Sequence, residues 1–174
     1  MKLLYIITAL FVTTLLIAQE RINTGNIYTT KGISYKKSDN SPFTGVAEFR
    51  KNNGNLMFEK EYNNGFITKY TLYFRGDEKI ISNETFYHEK SNTKKKNISY
   101  PYNGTLKTIT DYDENGKKLL EEQYISDKLV FHCEYINGKK HGVVYSTDKN
   151  NIKSTCTYND GKRISSTKET VNVR

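Results

Sequence analysis

The residues with the clearest potential for chemistry run from Asp111 to Glu122: Asp111-Tyr112-Asp113-Glu114-Asn115-Gly116, with Glu122 closing the stretch. Acidic or amide oxygens at positions 1, 3, 5 and 12 and a glycine at position 6 are the donor set of a helix-flanked calcium loop. The flanking residues argue against that use. Leu106–Asp111 and Leu119–Val130 read as strands, Lys118 stands where an apolar residue is usual, and Asn115-Gly116 is a hairpin turn signal. Cys133 and Cys156 stand 23 residues apart, at equivalent places in successive hairpins. Equivalent strands of a meander lie about 9.6 Å apart, beyond the ~7 Å Cα separation that a disulfide tolerates, so two free thiols are expected. His88, His132 and His141 have no metal-ligand spacing, and the sequence holds no phosphate-binding glycine loop and no nucleophile elbow. The expectation is a protein with no catalytic residues, no metal and no cofactor.

What must position any functional side chain here is a repeat. Turn markers at Asn53-Gly54, Asn64-Gly65 and Arg75-Gly76 are 11 residues apart, and Asn103-Gly104, Asn115-Gly116, Asn137-Gly138 and Asp160-Gly161 follow. One strand plus one turn fills 11 residues, so two units make a hairpin of 22–23 residues. Tyr62, Tyr73, Tyr135 and Tyr158 each stand three residues before a glycine, and Tyr124 stands three before Asp127. Constant phase relative to the turn predicts one tyrosine face, because side chains alternate along a strand. The fold expected is all-β: an elongated single-domain, twisted antiparallel meander of repeated hairpins, with eleven or twelve strands. No sustained helical periodicity is present.

The chain divides accordingly. Residues 1–18 carry Lys2, an uncharged run from Leu3 to Ile17, and Ala18 before Gln19-Glu20, the pattern of a secretory signal peptide. An uncleaved anchor stays the alternative, since Leu16 fits a small-x-small cleavage site poorly. Residues 19–40 form a lead-in with one or two strands, and residues 41–161 carry the repeats. Gly76 to Gly104 is longer than the period, and residues 88–97, with three consecutive lysines, read as an inserted loop. Residues 162–174 read as a polar tail that frays. After the leader no further apolar run is long enough to span a bilayer.

Charge narrows the partners. The chain has 27 Lys and Arg against 19 Asp and Glu, a net charge of +8; losing Lys2 with the leader leaves +7. That balance suits an acidic surface. Export keeps the chain from nucleic acid, so a protein partner is expected.

Gly45, Phe49, Asn53-Gly54, Leu56, Tyr62 and Asn64-Gly65, and again Asp113-Glu114-Asn115-Gly116, Tyr124, Tyr135, Asn137-Gly138 and Gly142, resemble the bacterial MORN-repeat variant proteins of the YwqK-type antitoxin family. The resemblance covers about Ser41 to Gly161. It departs from the family at Lys69, where a second glycine would follow, in the long segment at 88–97, and in lacking tryptophan. What it implies is a hairpin meander serving as a binding scaffold, with the family's antitoxin role. Together with the leader, this sets the expectation of a periplasmic or secreted neutraliser of a protein toxin, non-enzymatic, acting by occlusion. A cell-envelope structural or glycan-binding protein is the alternative. The docking residues expected are Tyr62, Tyr73, Tyr124, Tyr135, Tyr158, Lys139 and Lys140.

Overall fold

A computed structural model describes residues 19–76, 78–102 and 104–170; the leader expected at residues 1–18 lies outside them. The chain is all-β. In order, its strands are β1 (Arg21–Asn23), β2 (Ile27–Thr30), β3 (Ile33–Lys36), β4 (Gly45–Arg50), β5 (Leu56–Asn63), β6 (Phe66–Tyr73) and β7 (Ile81–Tyr87). Then follow β8 (Lys94–Ser99), β9 (Leu106–Tyr112), β10 (Lys118–Ile125), β11 (Lys128–Ile136), β12 (Lys139–Thr147), β13 (Ile152–Asn159) and β14 (Lys162–Thr170). β2 and β3 form a separate hairpin. The other strands make one 12-stranded sheet in the order β1, then β4 through β14. Every neighbouring pair in it is antiparallel except β1–β4. It is a twisted, open meander.

The turns divide into two kinds. Asn64-Gly65, Asn137-Gly138 and Asp160-Gly161 have both central residues at positive φ, as does Ser126-Asp127, the signature of two-residue type I′ hairpins. At Asn53-Gly54 and Asn115-Gly116 only the glycine is left-handed. There the glycine N–H donates to the carbonyl of Lys51 or Asp113, closing a wider turn.

Two segments differ from the sequence reading. The lysine run does not lie in an inserted loop: Lys94, Lys95 and Lys96 open β8, paired to β7 on one side and β9 on the other. Of the tail expected to fray, residues 162–170 form β14, paired with β13 from Asn159↔Lys162 to Ile152↔Thr170, and residues 171–174 lie outside the described residues. Both strands are held by backbone pairing, which needs no apolar side chain.

The buried hydrophobic cluster lies at one end, while Cys133 and Val144 are buried separately within β11 and β12. Phe43, Ala47 and Tyr62 form the buried cluster, with Ile22, Ile27 and Ile67 packed against it. Three backbone bonds close it: Ser34 N–H to the Gly65 carbonyl (2.8 Å), Phe43 N–H to the Ser34 carbonyl (3.0 Å), and Gly65 N–H to the Phe43 carbonyl (2.8 Å). The β2–β3 hairpin is thereby fastened over the β4–β6 end of one face.

Cys133 and Cys156 are free. Both stand opposite Val144, one from β11 and one from β13, so a whole strand separates them. Thiol titration of the unfolded, unreduced protein is expected to count two thiols per chain.

Candidate functional site

The hairpin register decides which side chains share a face, because cross-strand partners project to the same side. In the β5–β6 pair, Tyr62 lies opposite Ile67 and Glu61 opposite Lys69, leaving Thr68 as an extra residue. Six residues on from Ile67, Tyr73 would return to the Tyr62 face in a regular strand. The bulge at Thr68 shifts the alternation by one and sends Tyr73 to the other side. The same slip follows Tyr124, whose partner is Leu129, with Val130 as the extra residue before Tyr135.

The single tyrosine face expected from the spacing is therefore two rows. Tyr62, Tyr87, Tyr112, Tyr135 and Tyr158 end alternate strands along one long side of the sheet and share a face. Tyr73, Tyr124 and Tyr145 lie towards the other long side, on the opposite face. Lys139 and Lys140, adjacent in β12, likewise project to opposite faces. Lys139 pairs with Asp160 at 3.0 Å, whereas Lys140 sits 5.4 Å from the centre of the Tyr158 ring.

Of the residues expected to dock a partner, Tyr62 is withdrawn. It is 6% exposed and belongs to the core beneath β2–β3. Tyr73, Tyr124, Tyr135 and Tyr158 are half-buried. Their rings are also partly covered: Lys107 lies 5.1 Å from Tyr124 and Lys118 lies 5.2 Å from Tyr135, favourable cation–π placements. A partner approaching the Tyr135–Tyr158 face meets lysine ammonium groups over the phenols.

The second row has a feature that spacing could not reveal, a set of phenol–carboxylate pairs. Tyr73 donates to Glu59 (2.6 Å), Tyr100 to Glu84 (2.7 Å) and Tyr124 to Glu122 (2.7 Å). His132 lies 3.1 Å from Glu122 through Nδ1 and stacks on Tyr145 with ring centres 5.5 Å apart. Strand parity alone places Glu59 and Glu84 among strand residues, but pairing them with Tyr73 of the next strand and with Tyr100 just beyond β8 requires the register.

In the Tyr73–Glu59 and Tyr100–Glu84 pairs both partners are shifted. Burial acts to raise the Glu59 and Glu84 carboxyls; hydrogen bonds from Tyr73 and Arg21, and from Lys69 and Tyr100, outweigh it and hold both below the ordinary value. Burial first, and then the Glu84 carboxylate, push the Tyr100 phenol up to about 12. Tyr73 is raised by burial and by Glu59. A lowered carboxyl contributes stability that is present above its unfolded value of 4.5 and lost as pH falls through the folded one. A raised phenol contributes stability that is present below 10.0 and lost as pH rises towards about 12. Thermal unfolding followed against pH is expected to show both losses, and Tyr100→Phe should weaken the alkaline one.

Between the turns on that side lies an open cleft of about 420 Å³, lined by Ile80, Tyr100, Tyr102, Lys107, Tyr124 and Asp127. Tyr102 is 70% exposed, and its ring meets Phe74 edge-on at 5.1 Å. No spacing rule pointed to Tyr102, which falls outside the strands.

The calcium-loop residues do not converge. Asp113 Oδ1 accepts the N–H groups of Asn115 (3.0 Å) and Lys117 (2.8 Å) within its own turn. Asp111 pairs with Lys96, and Glu122 faces His132. Among the described residues no group of three or more His, Cys, Asp or Glu side chains is arranged to hold a metal ion, and no helix is long and apolar enough to cross a membrane.

A scan against protein-family models and a search of curated proteins each found no match to this chain.

Proposed function

We propose that the chain is a non-enzymatic, exported scaffold that binds a protein partner, an antitoxin-like or immunity-like neutraliser acting by occlusion. The observation that carries this reading is the open sheet itself. Twelve strands are laid side by side with packing over only one end, so most of both faces is available for contact. Such a surface suits covering another molecule more than enclosing a small one. Exposed apolar residues such as Phe49, Ile125, Ile136 and Val143 supply contact area, and the lysines over the tyrosines favour an acidic partner. The resemblance to MORN-repeat variant antitoxins supports the finer role of toxin neutralisation.

The test is capture from periplasmic extract with the tagged chain, followed by co-expression with the protein captured. A partner whose toxicity is relieved by the chain supports the reading. Absence of any stoichiometric protein partner argues against it.

The second reading, a glycan-binding envelope protein, rests on Tyr102 beside its cleft. An exposed phenol ring can stack on the apolar face of a sugar, with Asp127 and Lys107 within the same cleft. Binding on a glycan array, lost in Tyr102→Ala, would favour it.

A further inference from the structure

The two edges of the large sheet are unequal, and the inequality identifies a contact surface. We propose that the outer edge of β14 receives an extended acidic segment of the partner as an added antiparallel strand, an inference that rests on the protein-binding reading above. At the other edge β1 is three residues long and pairs parallel to β4. Arg21 holds it there through an ion pair with Glu59 and a second with Glu48 at 3.5 Å. That edge is blunted by its brevity. β14 is nine residues long, exposed at every one of them, and paired on its β13 side only. It contains no proline, and its one register slip lies near its start, at Ile164. Among the described residues nothing covers its outer side, so a row of backbone N–H and C=O groups is open to a further strand.

Charge selects the occupant. Residues 139–170 carry seven Lys and Arg against three Asp and Glu, a net +4, whereas the much longer span 19–138 carries only +2. Within β14, Arg163 and Lys168 lie opposite Tyr158 and Ser154, and so project to the face that Lys140 shares. Among the described residues neither makes an ion pair. Glu169 lies opposite Lys153 and projects to the other side. An incoming strand with carboxylates on alternate residues sets them all on one face, across from Arg163 and Lys168. A second copy of this chain would bring the same basic edge against its own, which like-charge repulsion opposes.

The probe is a capped octapeptide of alternating Glu and Thr. Its control has the same composition in two blocks, four Glu followed by four Thr. Amide hydrogen exchange of the chain from Gln19 is expected to slow in β14 with the alternating peptide and to stay unchanged in β1 and β4. The block peptide is expected to bind at least fivefold more weakly. Reversing the charges with Arg163→Glu and Lys168→Glu, both on exposed side chains, should abolish the protection without altering the melting curve. Equal binding of the two peptides, protection located on a sheet face, no protection at millimolar peptide, or concentration-dependent protection of β14 by the protein alone would each overturn the proposal. If the peptide fails while a protein partner is still captured, the edge is wrong and the scaffold reading stands. If capture fails too, both are wrong.

Discussion

Truncating Phe43 to alanine is expected to lower the unfolding free energy by about 3–5 kcal/mol, the range for deleting a buried phenylalanine ring. Phe43 is 0% exposed and fills the centre of the only described hydrophobic cluster. Its ring centre lies 5.7 Å from that of Tyr62, and Ala47 on β4 completes the floor. Because this cluster fastens β2–β3 to the main sheet, the cavity left by the ring loosens the lid as well as the floor. Truncation of Phe58, half-buried on the Tyr62 face but outside the cluster, removes less apolar contact and is expected to cost about 1 kcal/mol. Urea unfolding followed by circular dichroism compares them; equal losses would mean that the cluster is not the stabilising centre.

Gly65→Ala is the second large effect, expected at about 3 kcal/mol. At φ +80° a non-glycine residue costs roughly 1–2 kcal/mol. The added Cβ would also collide with the Ile33 side chain and come within 2.9 Å of the Ser34 carbonyl oxygen, adding the cost of overpacking, roughly 1–3 kcal/mol. The same glycine donates to Phe43 and accepts from Ser34, so relief by backbone movement breaks the bonds that close the core. Gly138→Ala is the matched control. Its φ is +77° and no atom lies within 4 Å of the new Cβ, so only the conformational cost remains, roughly 1–2 kcal/mol. A difference between the two variants below the error of the melts would contradict the packing assigned to Gly65.

Turn punctuation made the meander legible in the sequence. Left-handed residues at Asn64-Gly65, Ser126-Asp127, Asn137-Gly138 and Asp160-Gly161 mark reversals that few other residue types permit, and the strands fall between them. Strands without apolar residues were not legible. The lysines of β8 and the serines and threonines of β14 bury little, and their places are fixed by pairing with neighbours that a local pattern does not reveal. Faces were illegible for a related reason. A bulge such as Thr68 or Val130 leaves no compositional mark, yet each one moves the next tyrosine to the opposite side. That is why Tyr73 does not share the Tyr62 face and Tyr135 does not share the Tyr124 face. The burial of Tyr62 depends on Phe43 and the β2–β3 hairpin folding back over β4–β6, a contact made across some twenty residues of chain.

The proposed docking requires that the sheet stay open in solution, and small-angle X-ray scattering from the chain from Gln19 measures this most directly. Twelve strands at a spacing of about 4.8 Å form a slab about 55 Å across, about 30 Å along the strands and about 12 Å thick, for a radius of gyration of about 18 Å. A compact domain of similar length would give about 15 Å. A value at or above about 18 Å with an elongated distance distribution is the result expected. A compact, isotropic particle near 15 Å would mean that the sheet closes on itself, leaving neither the tyrosine rows nor the β14 edge free to receive a partner.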